Sequence, residues 1–248
     1  MSAPRLRLVL GALLVLLVLP TARAADPIDP ARKAEVEQII HDYFLAHPEF
    51  MIEVLRAAEA KAKEAKAEDA KGLIAAKQSE LLRDASSPVG GNPDGDVTIV
   101  EFFDYRCPYC KQVEPSLETL IKEDGKIRII YKEFPVLGPA SVYASRVALA
   151  ARKQGKYAAF HDAMMAKKGQ ITDDIVLAVA KAAGLDLDRA KVDMNAPEVN
   201  EIIARNKALA SALEIGGTPT FIIGDKVMPG AGDIDDLRKM VESARKSG

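Results

Sequence analysis

The chain contains only two cysteines, and they lie within one short stretch, VEFFDYRCPYCKQ. The apolar residues before Cys107 predict a strand over 97–103, and a helix is expected over 108–123, with Pro108 in the first turn, where a backbone N–H would have no partner. Free N–H groups and the helix dipole favour a negative charge at such an N-terminus. The spacing therefore predicts a stabilised thiolate at Cys107 and a more buried thiol, Cys110, that can resolve a mixed disulfide.

Other uses of the cysteine pair fit the sequence less well. A zinc site needs four ligands, and the three histidines, His41, His47 and His161, are far from the pair along the chain. A disulfide that closes so small a loop would add little stability through chain entropy. Copper(I) can be held by two thiolates, so copper binding stays open, whereas no organic cofactor is expected.

Residues 1–24 have the pattern of a secretory signal peptide. Arg5 and Arg7 precede an apolar run of 12 residues, and Ala22-Arg23-Ala24 forms a small-residue cleavage site. The run is too short for a bilayer core, which needs about 20 residues. The mature chain is expected to begin near Ala25 in an oxidising compartment, where disulfides persist. Removing the three arginines takes the net charge from −2 to −5, which disfavours nucleic acid as a partner.

Residues 25–86 are expected to form a helical stalk. Asp29-Pro30 supplies an N-cap and a first-turn proline, and a second helix is expected to begin at Pro48. Between 59 and 71, eight of thirteen residues are charged and the others are alanine, which indicates a solvated helix. Apolar residues recur at helical spacing in the first helix: Val36, Ile39, Ile40, Tyr43 and Phe44. This stripe is too short for a domain of its own, so it must pack on the rest of the chain or on copies of itself.

Residues 87–248 alternate strands and helices, after a Gly- and Pro-rich boundary at 86–93. Strand and helix patterns are assigned as follows: strands at 97–103, 127–134, 220–223 and 226–228, helices over 139–214, and a closing helix at 234–244. This order predicts an α/β thioredoxin fold with a helical domain inserted at about 139–214, preceded by the stalk.

Glu101 lies in the middle of the first strand, on the face that carries Val97, Ile99 and Phe103. A buried carboxylate there should have a raised pKa and could exchange protons with Cys110. The alternative is a structural acid paired with a basic side chain, Lys132, on the neighbouring strand.

The stretch GGTPT precedes the third strand. Pro219 cannot donate to a central ladder, so it is expected at the start of the strand. A cis bond before Pro219 would form a tight turn against the cysteines and could present the Thr218 backbone to a substrate chain as an added strand. An ordinary trans proline at the start of the strand is the alternative.

Together these residues resemble the DsbA family of thioredoxin-fold oxidoreductases over about residues 90–246. The resemblance is carried by four features: VEFF before the cysteines, CPYC itself, the GTPT loop and the helical insert between them. It implies periplasmic thiol–disulfide exchange, with Cys107 as nucleophile and a cis bond at Pro219. On this interpretation Cys110 resolves, Glu101 relays protons, and the substrate is held by four residues, Pro108, Tyr109, Thr218 and Pro219.

The segments YFLAHPEF, FFDYRCPYC and YKEFPVLGPAS are most similar to the suppressor-of-copper-sensitivity group of this family. That resemblance implies a stalk that can form a homo-oligomer, such as a trimer, and a disulfide isomerase or reductase that acts on unfolded or misoxidised secreted proteins. A membrane redox partner would keep it reduced. Tyr109 stands where strong oxidases carry His, which predicts a less oxidising couple. A monomeric disulfide-forming oxidase, a copper-tolerance protein that uses the same thiols and a chaperone that does not need them are the alternatives.

Overall fold

The computed structural model describes residues 29–247, so the predicted signal peptide lies outside the described residues. The chain divides into two compact units, one ending at Ala58 and the other beginning at Glu59. The elements are α1 (Pro30–Ala46), α2 (Pro48–Ala76), α3 (Gln78–Leu82), β1 (Val89–Gly91), β2 (Val97–Phe103), α4 (Pro108–Asp124), β3 (Ile127–Glu133), α5 (Pro139–Lys153), α6 (Tyr157–Ala166), α7 (Asp173–Ala182), α8 (Leu187–Asp193), α9 (Pro197–Ala212), β4 (Thr220–Ile223), β5 (Lys226–Pro229) and α10 (Ile234–Ser247).

The first unit contains α1 and the beginning of α2. The Asp29 side chain accepts a hydrogen bond from the Ala31 N–H at 3.2 Å and caps α1, as the sequence predicts. The rings of Tyr43 and Phe50 meet edge to face at 5.9 Å across the junction of the two helices. The predicted apolar stripe is largely exposed and continues into α2, and its exposed members are Val36, Ile39, Ile40, Tyr43, Met51, Val54 and Leu55.

The second unit is built on a five-stranded sheet with the order β1-β3-β2-β4-β5. β2 pairs parallel with β3 and antiparallel with β4, so it lies at the centre of the sheet. The β2-α4-β3 motif and the β4-β5-α10 motif are the two halves of a thioredoxin fold, and α5 to α9 form the insert between them. The predicted fold class is confirmed.

Both faces of the sheet are covered. Helices α4 and α10 pack on the face that carries Val97 and Ile99, whereas α9 and the region 73–82 pack on the face that carries Val100 and Phe102. The core of the insert meets the carboxyl end of β2 at Phe103. The alternation of β2 therefore directs successive side chains into different helical layers.

Residues 73–88 belong to the second unit, earlier in the chain than the boundary predicted at 86–93. Ile74 and Leu81 are buried against the sheet. The buried ammonium of Lys132 donates hydrogen bonds to the Glu80 carbonyl at 2.8 Å and to the Ser87 hydroxyl at 2.7 Å, and it forms an ion pair with Asp84 at 3.2 Å. These contacts fasten the end of the stalk segment to β3.

Candidate active site

Cys107 is the N-cap residue of α4, and Pro108 is the first residue of the helix. The two sulfur atoms are not bonded to each other in this structure. Cys107 keeps 3% of its surface exposed, whereas Cys110 is completely buried and Tyr109 is 60% exposed. The four residues therefore have the arrangement that the sequence predicts, with Cys107 outermost of the two thiols.

The loop before β4 lies directly against Cys107. The Thr218–Pro219 peptide bond is cis, as predicted, and Pro219 is buried. The Cys107 thiol donates a hydrogen bond to the Thr218 carbonyl at 3.2 Å. Residues separated by more than one hundred positions in the sequence are thereby brought into contact at the helix N-terminus.

Cys110 and Glu101 lie behind Cys107. Burial raises the pKa of the Cys110 thiol, and the Glu101 carboxylate raises it further. Burial also raises the pKa of Glu101 well above its usual value, with smaller contributions from Glu114 and Glu133. Neither Glu101 oxygen has a hydrogen-bond partner among the described residues.

The alternative pairing of Glu101 with Lys132 is wrong. In the parallel register Glu101 lies beside Tyr131, and Phe102 lies beside Lys132. Successive side chains of a strand point to opposite faces, so Lys132 points to the face occupied by residues 80–87. Among residues 29–247, no cationic side chain pairs with Glu101 on its own face.

A cluster of buried polar side chains continues from Glu101 into the insert. We call it the buried polar cluster, and its members are Glu101, Tyr105, Glu114, Glu133, Tyr157 and His161. The hydroxyls of Tyr105 and Tyr157 donate to Glu133 Oε1 at 3.1 and 2.8 Å. Tyr105 Oη also lies 3.2 Å from His161 Nδ1, and His161 Nε2 lies 3.4 Å from Glu114 Oε1.

Burial is the largest cause of the altered acidity in this cluster. It raises the pKa of Glu133 to about 7, although the hydrogen bonds from Tyr157 and Tyr105 oppose the shift. This carboxyl group with a raised pKa therefore lies at the end of β3, where it is connected to His161 through the Tyr105 hydroxyl.

Asp104 shapes the surface beside Cys107. Its buried carboxylate accepts hydrogen bonds from the backbone N–H groups of Arg106, Val136 and Leu137 at 2.8 to 3.0 Å. Its carbonyl accepts from the Cys107 N–H at 3.0 Å. Asp104 thus holds the loop after β3, with its exposed apolar side chains, near the nucleophile.

Four residues of the site were not predicted from the sequence: Asp104, Glu114, Glu133 and His161. Glu114 could have been found, because it lies four residues after Cys110 and so shares its face of α4. His161 carries no local signal, since its neighbours come from β3, α4 and the segment after β2. Within residues 29–247, no group of three or more His, Cys, Asp or Glu side chains is arranged as a metal site. The two thiols are the candidate ligands for a soft ion such as Cu(I).

This geometry suits the exchange of an electron pair between a dithiol and a disulfide. One sulfur lies at a helix N-terminus and contacts a cis-proline loop, and the second lies behind it next to a buried acid. The fold and the site together define a thiol–disulfide oxidoreductase.

Comparison with known proteins identifies the family. The profile of the DSBA-like thioredoxin domain matches residues 98–242, more than half of the chain, and the chain belongs to that family. A second profile, described as the copper resistance protein ScsC N-terminal domain, matches residues 33–65. The second match lies in the stalk segment and is separate from the catalytic domain.

Two solved structures are similar to this chain. A thioredoxin-like oxidoreductase from Silicibacter pomeroyi DSS-3 is 45% identical, with a TM-score of 0.67, and the match covers 68% of this chain and 98% of that one. A linker-deletion variant of Proteus mirabilis ScsC is 28% identical, with a TM-score of 0.69, and the match covers 92% of this chain and 100% of that one.

A curated relative is much longer than this chain. The Na(+)/H(+) antiporter NhaA 1 of Salinispora arenicola is 32% identical over 158 residues, which is 63% of this chain but 24% of the antiporter. The chain thus spans about a quarter of the length of the first curated relative that it matches. None of the helices in residues 29–247 has the length and apolar character needed to cross a bilayer.

Proposed function

We propose that the chain is exported to the periplasm and acts there on protein disulfides, as an isomerase or reductase. The observation that carries this proposal is the contact between the Cys107 thiol and the Thr218 carbonyl, with Cys110 buried behind it. Cys107 attacks a substrate disulfide and forms a mixed disulfide. Cys110 then resolves it, or a second substrate thiol attacks it and the substrate disulfide is rearranged.

The third residue of CPYC favours an isomerase or reductase rather than an oxidase. Tyr109 is exposed and neutral, so it gives the Cys107 thiolate less electrostatic support than a histidine would. A less stabilised thiolate makes the disulfide form a weaker oxidant. Pro108, Tyr109, Thr218 and Pro219 surround the nucleophile and would contact the substrate chain.

We propose further that the stalk assembles copies of the chain. Its exposed apolar stripe and the match to the ScsC N-terminal domain support self-association, and a trimer is the stoichiometry that the resemblance implies. Several active sites in one assembly raise the effective thiol concentration near a bound unfolded protein. A membrane redox partner would return Cys107 and Cys110 to the dithiol form.

Refolding of scrambled ribonuclease tests the proposal. The chain from Ala25 is compared with a chain from Glu59, where the second unit begins, and with Cys107→Ser as the inactive control. A stalk-dependent isomerase is supported if the chain from Ala25 has isomerase activity and the chain from Glu59 lacks it. Rapid oxidation of reduced ribonuclease by both chains, without isomerisation, would instead support the monomeric oxidase.

Copper binding is a second candidate, favoured by the match to a domain described for a copper resistance protein. Two adjacent thiolates can hold Cu(I) in a nearly linear arrangement. Titration of the reduced chain with Cu(I) in the presence of a competing chelator is expected to show one ion per chain that is lost in Cys110→Ser. Weak binding that survives this substitution would exclude the cysteine site.

A further inference from the structure

A cavity of about 500 Å³ lies at the β1 edge of the sheet, between residues 83–88 and the beginning of the insert. Its wall carries three arginines from three different parts of the fold: Arg83 at the end of α3, Arg128 on β3 and Arg152 on α5. The residues around the redox pair do not line it. The cavity is therefore separate from the candidate active site.

Two of the three guanidinium groups are held by backbone carbonyls of one short stretch. Arg128 Nη1 donates a hydrogen bond to the Leu82 carbonyl at 3.2 Å, and Arg152 Nη2 donates to the Ala85 carbonyl. These carbonyls lie on either side of Arg83 in the chain, so all three arginines meet at the same part of the cavity wall. Because a guanidinium has five N–H donors, Arg128 and Arg152 keep donors with which to bind a ligand.

The positive charge of this wall is not neutralised by carboxylates of the described residues. Asp84 is the acidic residue in the wall, and its oxygens already accept hydrogen bonds from Ser86, Ser87 and Lys132. Within residues 29–247, the arginines that form ion pairs are others: Arg189, Arg205, Arg238 and Arg245. The cavity thus keeps an excess of positive charge, which attracts anions.

We propose that this cavity binds an anion that carries a phosphate group. The oxygens of a phosphate can accept from several guanidinium groups at once, whereas one arginine fork already engages both oxygens of a carboxylate. The apolar part of the wall, formed by Pro88, Val89 and Tyr157, would contact the remainder of an organic phosphate. This binding site goes beyond the proposed function, because it involves neither cysteine.

A bound phosphate would connect two parts of the second unit. Arg83 belongs to the segment that leads from the helices of the stalk to β1, and Arg152 belongs to the first helix of the insert. A ligand that contacts both arginines should therefore restrict the motion of residues 83–88, which gives the proposal a structural readout besides affinity.

Titration calorimetry with inorganic pyrophosphate tests the site in the chain from Ala25, in a buffer free of phosphate. One ion should bind per chain. Arg83→Gln and Arg152→Gln should each weaken binding at least about tenfold, because each removes a charge-assisted hydrogen bond. Both positions are exposed, so neither substitution should unfold the chain.

Arg146→Gln is the matched control. Arg146 lies on the same helix as Arg152 and also donates to a backbone carbonyl, that of Met194 at 2.9 Å, but it does not line the cavity. Its substitution should leave the affinity within about twofold of wild type, because its charge is not part of the site. The absence of saturable binding, or equal weakening by Arg146→Gln and Arg152→Gln, would overturn the proposal.

Malonate separates phosphate recognition from a general attraction of anions. As a dicarboxylate it should bind at least about tenfold more weakly than pyrophosphate, and equal affinities would contradict a phosphate site. Hydrogen exchange gives the location. Pyrophosphate should slow exchange in residues 83–88 of the wild-type chain but not of Arg152→Gln, and slowing confined to other segments would place the ion elsewhere and exclude this cavity.

Vesicles of phosphatidylglycerol distinguish two sources of the phosphate group. If the chain sediments with them, and if both pyrophosphate and Arg152→Gln prevent this, the ligand is a lipid headgroup. Pyrophosphate binding without sedimentation supports a free phosphorylated compound in the same site. Cys107→Ser should bind pyrophosphate as wild type does, so the result is independent of the outcome of the ribonuclease assay.

Discussion

At the residue scale, Tyr109 gives the most direct test of the direction of electron flow. Tyr109→His places an imidazole in the first turn of α4 beside Cys107, where its charged form stabilises the thiolate. The reduction potential should rise by at least about 30 mV, which corresponds to about a tenfold change in the equilibrium constant. The measurement is equilibration with glutathione, and Tyr109→Phe is the control that should stay close to wild type. Equal potentials in the two variants would contradict this explanation.

Glu133 makes a prediction about stability. Its pKa of about 7 in the folded state is higher than the ordinary value of 4.5, so folding favours the protonated form. The stabilising contribution is complete below about pH 4.5 and is lost as pH rises through 7. Between pH 4.5 and 8 the wild-type chain should therefore lose roughly 3 kcal/mol of unfolding free energy that Glu133→Gln, which cannot titrate at this position, does not lose.

Urea denaturation at several pH values checks this expectation. Glu242→Gln, at an exposed position of α10, is the matched control and should follow the wild-type profile. A Glu133→Gln profile parallel to that of wild type would mean that Glu133 does not titrate between these pH values.

At the element scale, the segment between α2 and β1 depends on Lys132. Lys132→Met removes the cation that pairs with Asp84 and donates to the Glu80 carbonyl and the Ser87 hydroxyl. Because these partners lose a buried donor, the free energy of unfolding should fall by about 2 to 4 kcal/mol. Limited proteolysis should then cut the chain near residues 77–88.

The exposed Lys122→Met is the control for this prediction and should change stability by less than about 0.5 kcal/mol. If Lys132→Met remains as resistant to protease as the control, the segment is held by apolar contacts such as that of Leu81 rather than by the ammonium group.

At the scale of the whole molecule, the stalk is expected to determine the oligomeric state. Ile40→Glu places a charge in the exposed apolar stripe of α1, which disfavours its burial between copies. Light scattering should show an oligomer for the chain from Ala25 and a monomer for this variant. Ala34→Glu, on the opposite side of α1, should remain oligomeric. A monomeric wild-type chain would exclude stalk-mediated assembly.

Much of the catalytic domain was predictable from local pattern. The strands at 97–103 and 220–223 have the predicted bounds, and the second helix begins at Pro48 as expected. Cys107 also lies at the predicted strand-to-helix junction. These features depend on side-chain alternation, helix caps and proline geometry, which act over a few residues. The short edge strand β1, in contrast, was not predicted. Its sequence is that of a glycine-rich loop, and it forms a strand by pairing with β3.

The sequence by itself determined the thioredoxin fold, the position of the redox pair and the burial of Glu101, since all three follow from short-range periodicity and spacing. Only the tertiary structure decided which further side chains join Glu101 in the buried polar cluster. Strand register directs Lys132 to Asp84 and away from Glu101, and the packing of α6 on α4 brings His161 to Glu114. Such contacts join residues tens of positions apart, and no local pattern specifies which distant side chain fills a given place in the core.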